Sequence, residues 1–533
     1  MNYRPSFFLS RRFAMPLLGL WLVVISAWVF ASPMPVDQWE VAELEVELPS
    51  NGDNPFDRLP LADLTGPDGS SFTVPGYYAG DGAYVFRVSL PSSGDWQARS
   101  RDTGEEWDLR VSAKADALGP LTIPEDKPQS FRYANGEDCF MLAFEADWLF
   151  ALDLETGHMD RTRTLLEDIK ANGFNQIVMN VYAHDVNWPS DPKLPAKYDF
   201  ARPKTWPYGG DNDAPDYERL NLAFFDHFDK VIAMMNELDL TAHIMIYVWN
   251  KNVNWPEADS IEDNRYFDYV VARYQGFPNV LWDISKEATG YGHNDMEYIV
   301  RRTERLRELD GHERLLTVHA FNYCVKYPET VDFMSTQNWT TSIYERMLDA
   351  YQRFEDKPIF NIEHGGYEKG PYHVFDGDYD DAVACVDRNY RCAFAGAYSC
   401  YYWQDTSWSV VIWDQSELPK NDRPRYDLYR NMAKLFGDVD YGKYRPFDRR
   451  TERRTSSGYV MGDDAGNFLI YLPEENSRLS TTFADYYGKP MKVRWFNTIT
   501  GEYSDEEEVE IEKWLRFEAP WQGVPRVLIL SQP

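Results

Sequence analysis

At 533 residues the chain is too long for one ordinary hydrophobic core, so two or three domains are expected. It is 44% hydrophobic and 16% aromatic, enough to fill large cores and to exclude wholesale disorder. A net charge of −32 argues against nucleic-acid binding, which needs a basic face, and suits a solvated acidic surface in a salty exterior.

The first 31 residues read as an export signal. Arg4, Arg11 and Arg12 form a basic start, residues 15–30 are an apolar stretch, and Val29-Phe30-Ala31 offers a cleavage site after Ala31. The alternative is an uncleaved anchor, for which the stretch is short. Residues 36–119 alternate with a period of two, as in Trp39-Glu40-Val41-Ala42-Glu43-Leu44 and Tyr84-Val85-Phe86-Arg87-Val88. Turn signals such as Pro67-Asp68-Gly69 and Gly80-Asp81-Gly82 separate these runs, which predicts an N-terminal β-sandwich.

From about Phe131 the rhythm becomes strand then helix. Strands are expected at 140–144, 176–181, 242–249, 279–287, 315–319, 333–337, 357–363 and 396–403, with helices at 162–171, 222–237, 266–275, 298–309, 343–354 and 380–393. Eight strands alternating with helices over 125–437 predict a (β/α)8 TIM barrel. Helical patterns vanish after about Tyr444, and strand-like runs over 467–472, 491–496 and 525–530 predict a C-terminal β-sandwich over 444–533. The fold class is therefore multidomain, a central barrel flanked by two sandwiches.

Two of the expected barrel strands end abruptly in a glutamate, Glu287 and Glu363. Barrel enzymes keep their chemistry at the carboxyl ends of the strands. Two carboxyls there suit the acid/base and nucleophile of a retaining glycosidase, with an expected separation of about 5–5.5 Å. Asp283 is expected to be a buried, hydrogen-bonded support. The other strand ends supply candidate substrate-binding groups: Asp147 and Trp148 beside Glu145, Asn180, Tyr182 and His184, Trp249 and Asn250, His319, Gln337 and Trp339, and Trp403. Aromatic faces stack on sugar rings, and amides and imidazoles bond hydroxyls. For each, core packing or loop support is the competing reading. No metal or other cofactor is expected, because His184 and His319 lack ligand spacing and neither a glycine-rich phosphate loop nor a GxSxG elbow occurs. The five cysteines lack CxxC spacing; buried thiols and one disulfide are both open.

Several of these stretches carry a resemblance. Asn54-Pro55-Phe56, Gly76-Tyr77-Tyr78 and Gly94-Asp95-Trp96 resemble the module of unknown function that precedes many bacterial glycoside-hydrolase barrels. Residues 269–274 running into Val280-Leu281-Trp282, with Glu363-His364-Gly365-Gly366-Tyr367-Glu368, resemble the apiosidase-like family within the clan of retaining (β/α)8 glycosidases. Leu469-Ile470-Tyr471-Leu472-Pro473 and 495–501 are similar to a domain type described as collagen-binding. The resemblance implies Glu287 as acid/base and Glu363 as nucleophile. Where the clan has asparagine before the acid/base, this chain has Lys286, which would either meet an anionic group on the substrate or form a salt bridge to Asp283 or Glu287.

The function expected is that of a secreted or periplasmic retaining glycoside hydrolase acting on a complex plant or algal polysaccharide or oligosaccharide, with no membrane contact after signal cleavage. Two alternatives remain, a non-catalytic carbohydrate- or matrix-binding protein on a barrel scaffold and a polysaccharide lyase. Sugar, linkage and oligomeric state are not legible.

Overall fold

The structure, a computed structural model, describes residues 32–374, 377, 379–447, 455–474, 478–513 and 515–533. The export signal expected over residues 1–31 lies outside them.

The barrel consists of β1 (Leu142–Glu145), β2 (Gln176–Asn180), β3 (Thr241–Val248), β4 (Val280–Lys286), β5 (Leu316–Thr317), β6 (Met334–Gln337), β7 (Ile359–Glu363) and β8 (Ala397–Tyr401). All neighbouring pairs are parallel, in the spatial order 5-4-3-2-1-8-7-6. The seam between β5 and β6 is bridged by Asp332 N donating to Leu316 O at 2.8 Å and Thr317 Oγ1 to Phe333 O at 2.9 Å. Every residue of β2, β3, β4 and β7 is buried, the signature of strands covered on both faces.

Among the described residues eight α-helices alternate with the strands: α1 (Asp160–Ala171), α2 (Leu222–Glu237), α3 (Ile261–Tyr274), α4 (Met296–Leu309), α5 (Phe321–Lys326), α6 (Ile343–Arg353), α7 (Ala382–Phe394) and α8 (Tyr426–Val439). The sequence pattern missed α5 and α8, and it started α3 five residues late. Apart from the exposed Ile261 the first turn of α3 is polar and carries no apolar period; what starts it is Ser260, whose hydroxyl accepts from Asp263 N at 3.1 Å. The barrel boundary expected at 437 falls inside α8.

The N-terminal sandwich pairs a five-stranded sheet with a three-stranded one. Alternate residues of Val41–Glu47 point into a core with Phe86, Leu64, Trp96 and Leu109. It docks on α2 and α3 through Arg87, which is 3% exposed, bonds Glu43 at 2.6 Å and Asp229 at 2.8 Å, and donates to Arg273 O at 2.7 Å. Such a buried guanidinium is tolerable because its donors are satisfied.

The C-terminal domain carries a six-stranded sheet and a two-stranded one. Its larger sheet is apolar on both faces. Phe468, Ile470, Leu472 and Trp495 fill the domain's own core, whereas Leu469, Tyr471, Phe496 and Val527 join the barrel's core. Tyr471 stacks on Tyr390 of α7 with ring centroids 4.9 Å apart and donates to Asp387 at 2.6 Å. Trp514, expected to add to this aromatic area, lies outside the described residues. Tyr390, Phe394 and Phe436 of the barrel are covered by this sheet or packed beside it. Removing residues 444–533 should therefore expose apolar barrel surface, and the truncated protein should bind a hydrophobic dye and aggregate on gel filtration. A soluble, fully active truncation, with the separate domain binding collagen tightly, would show that this domain is an independent adhesin instead.

All five cysteines are buried free thiols. Among the described residues no helix is long and apolar enough to cross a membrane.

Candidate active site

The carboxyl ends of β1, β3, β4 and β7 bring five charged side chains together, each almost fully buried: Glu145 and Asp147, Lys251, Lys286 and Glu363. Lys286 Nζ lies 2.6 Å from Glu145 Oε1, 3.1 Å from Asp147 Oδ2 and 3.1 Å from Glu363 Oε1. Lys251 Nζ lies 3.4 Å from the same Asp147 oxygen and 3.5 Å from the centre of the Trp408 ring. Burial works against the charge on Lys286, but Asp147, Glu145 and Glu363 outweigh it and hold the ammonium protonated well beyond its usual range. Lys251 has fewer partners, and burial brings it down to about 8. Burial, and next the charge on Asp147, push the Glu145 carboxyl well above its ordinary value.

Lys286 therefore does not read an anionic substrate group, and its salt bridges go to neither residue expected. Asp283 is buried lower in the barrel, 3.1 Å from His243 Nε2, and accepts from the backbone N–H of His319 at 3.0 Å. With three carboxylates already around it, the Lys286 ammonium is a neutralising centre of the protein itself.

Glu287 follows β4 with φ of 57°, a left-handed conformation that costs a residue bearing a Cβ roughly 1 kcal/mol or more. This turn breaks the strand's alternation. Two consecutive side chains, Lys286 and Glu287, then reach the same place. Gln337 at the end of β6 joins the glutamates: its Nε2 donates to Glu363 Oε2 at 2.6 Å and to Glu287 Oε1 at 3.3 Å. The two oxygens sharing that nitrogen are thus separated by no more than the sum of 2.6 and 3.3 Å. The two carboxyls thus meet at a single amide, close enough to act on one glycosidic bond. Burial first, and then the negative Glu363, raise the Glu287 carboxyl above its usual value, with Lys286 pulling the other way.

The remaining candidates divide. His319 Nε2 lies 3.6 Å from Glu363 Oε1, and burial lowers the ring to about 3, so it stands beside the glutamate as a neutral imidazole. Asp147 and Trp148 belong to the cluster, and Asn180 Nδ2 donates to Asp147 O at 3.3 Å. The indole N–H groups of Trp148, Trp403 and Trp339, Asn180 Oδ1, Asn250 Oδ1 and both ring nitrogens of His319 are buried without hydrogen-bond partners among the described residues. Buried polar atoms are nearly always paired, so this concentration at one barrel mouth is where water or a ligand would complete the bonding.

Tyr182 is not such a group. It is 1% exposed, packs against Phe150 and Phe224, and bonds His184 at 3.1 Å, so its strand-end position reflects core packing. Neither face of Trp249 is open for stacking: Tyr247 lies parallel at 5.3 Å and His293 at 3.9 Å. Lys251 and Trp408 were missed. Trp408 sits in an irregular segment after β8 with no periodicity to flag it, and Lys251 stands two residues past Trp249 with nothing local to mark it as buried. Among the described residues no cluster of histidine, cysteine, aspartate and glutamate is arranged to hold a metal ion.

Residues 125–428 match the family described as apiosidase-like, catalytic domain. The chain belongs to the apiosidase-like family. Residues 35–101 match a domain of unknown function, DUF5060. Among solved structures, one from Bacteroides vulgatus assigned to the glycoside hydrolases superposes with a TM-score of 0.74 at 18% identity, covering 94% of this chain and all, 100%, of that one. A glycoside hydrolase family 5 structure from the same organism gives 0.57 at 16% identity, covering 78% of this chain and 93% of its own. At these identities the likeness is one of fold. No curated protein matches the chain. The family match makes the barrel a glycoside-hydrolase catalytic domain acting on carbohydrate, and the cluster just described occupies the face where that fold keeps its chemistry.

Proposed function

We propose that the protein is an exported retaining glycoside hydrolase that cleaves a complex plant or algal polysaccharide or oligosaccharide, with Glu363 as nucleophile and Glu287 as acid/base. The observation that carries the reading is the single Gln337 amide shared by both glutamates at the ends of β4 and β7. In the first half of the reaction Glu363 attacks the anomeric carbon while Glu287 protonates the departing oxygen. In the second, Glu287 takes a proton from the water that releases the sugar. Lys286 offsets the charge on Glu363 within the cluster, and the raised Glu287 carboxyl keeps a proton to donate.

The test is a panel of plant and algal glycans, with the first-formed product examined by proton NMR. Retention of the anomeric configuration is expected. An inverted product, or an unsaturated ultraviolet-absorbing one, would overturn the assignment. The pH dependence has a definite sign. Activity should fall as pH rises through the raised value of Glu287, because the acid is then spent. Glu287→Gln should lower kcat by about 10²–10⁴-fold and remove that basic limb, the loss being smallest on substrates whose leaving group needs no proton.

A further inference from the structure

The segment that follows β8 is buried along its length, every residue over 402–412. Segments at the mouth of a barrel normally run over the surface, so this one has a cover. The cover is the segment that follows β2. Phe200 N donates to Ser409 O at 2.8 Å and Val411 N to Tyr198 O at 2.9 Å, an antiparallel bridge centred on Asp199 and Val410. Trp188 stands edge-on to Trp408 with ring centroids 4.8 Å apart, and Tyr198 meets Trp413 in the same way at 4.8 Å. Neighbouring segments are laced into the same cover. His184 N and Asp185 N donate to Lys251 O, beyond β3, at 3.1 and 2.9 Å. Beyond β7, His373 N donates to Asp191 Oδ2 at 2.9 Å and Gly370 N to Gln404 Oε1 at 2.9 Å. These bonds close an arc over the ends of β3, β2, β1, β8 and β7.

The inner surface of the arc is Trp408. Its ring centre lies 3.5 Å from Lys251 Nζ and 5.5 Å from Lys286 Nζ, and Lys286 Nζ is itself 3.1 Å from Glu363 Oε1. Such short steps, occupied by two ammonium groups, leave no passage for a run of sugars between the nucleophile and the wall. The opposite side is open. Gln337 at the end of β6 is exposed, and Glu287 and Trp339 are half-buried, whereas Glu363 is 2% exposed. The nucleophile therefore stands at the blind end and the acid at the mouth.

We infer that the site is a blind pocket for one terminal sugar, so that the enzyme works from the non-reducing end of its substrate and releases one sugar per cut. The inference rests on the hydrolase reading above. The sugar that bonds to Glu363 is the one on the walled side, and the rest of the chain departs past Glu287. A further sugar on the walled side would have to displace Trp408 and the segments laced over it, a steric rejection of internal positions in a chain.

The experiment uses a short oligosaccharide that the glycan panel shows to be cleaved, and the same oligosaccharide with a benzyl ether on its non-reducing-end sugar. With wild-type protein the first products separated by chromatography should be a monosaccharide and the chain shortened by one sugar, and the capped substrate should react about tenfold more slowly or worse. Internal fragments among the first products, or equal cleavage of the capped substrate, would overturn the inference while leaving the hydrolase reading intact. A wild-type protein that cleaves no glycan defeats the hydrolase reading itself, and the pocket with it. The wild-type product pattern decides the question without any variant. Trp188→Ala/Tyr198→Ala, which strips both aromatic contacts from the covering segment, should raise the rate on the capped substrate relative to the uncapped one about tenfold. A folded variant without that gain would show that this segment is not the barrier and would overturn the wall assigned to it.

Discussion

Glu363→Ala should lower turnover by more than about 10⁴-fold, the scale seen when one member of a catalytic unit is removed. Glu363 is the last residue of β7 and is 2% exposed. One oxygen is held by Gln337 at 2.6 Å and the other lies 3.1 Å from the Lys286 ammonium. Both contacts fix the carboxylate's direction, and alanine at this position leaves space where the attacking oxygen stood. Azide should enter that space and attack from the same side, giving a glycosyl azide of inverted configuration and recovering part of the rate. The matching experiment on Glu287→Ala has the opposite stereochemistry. There the nucleophile remains, azide replaces water in the second step, and the azide product is of retained configuration. Glu363→Ala protein within tenfold of wild type, or azide products of the same configuration from both variants, would remove the two assignments.

Lys286→Met should cost the folded barrel about 3–5 kcal/mol, the usual loss when one partner of a buried ion pair is removed and its counter-charges stay behind. Methionine matches the length of the lysine stem, so the effect is one of charge rather than volume. It leaves Glu145, Asp147 and Glu363 with only Lys251, which contacts Asp147 alone at 3.4 Å and is itself brought down to about 8 by burial. The loss also has a pH signature. Glu145 is already pushed up by burial and by Asp147, and Lys286 is what pulls it down, so without Lys286 its folded value rises further from that of the unfolded chain. The folded variant then binds a proton that the unfolded chain releases, and its stability falls as pH rises above the unfolded carboxyl value of about 4.3. The gap between wild type and Lys286→Met should therefore be widest near pH 8 and narrow toward pH 5, roughly, when followed by urea unfolding of the full-length proteins. A gap that is constant with pH would show that Lys286 stabilises through packing alone. Lys286→Asn should behave in the same direction, because an amide does not neutralise three carboxylates.

The sequence by itself determined the barrel, its two sandwiches and the positions of the two glutamates. Alternation of apolar runs with helical periods is written into neighbouring residues, and a run such as Ile359–Glu363 ending in a charge marks a strand end whatever surrounds it. The wide buried stripe of α2, Phe224, Phe225, Phe228, Val231 and Ile232, was legible for the same reason. What only the tertiary structure decided is which residue meets which. Lys286 finds Glu145 across the barrel, a partner 141 positions away, and closure of the sheet brings them within 2.6 Å. The left-handed turn at Glu287, the two covered faces of Trp249 and the burial of Lys251 likewise depend on neighbours that no local pattern names. In the C-terminal domain the strand Phe468–Leu472 is apolar throughout, so its sequence gives no sign of which face is which; contact with α7 assigns Leu469 and Tyr471 to the barrel and Phe468, Ile470 and Leu472 to the domain's own core. Periodicity and burial are properties of a segment, whereas ion pairing and packing are properties of the space that folding encloses.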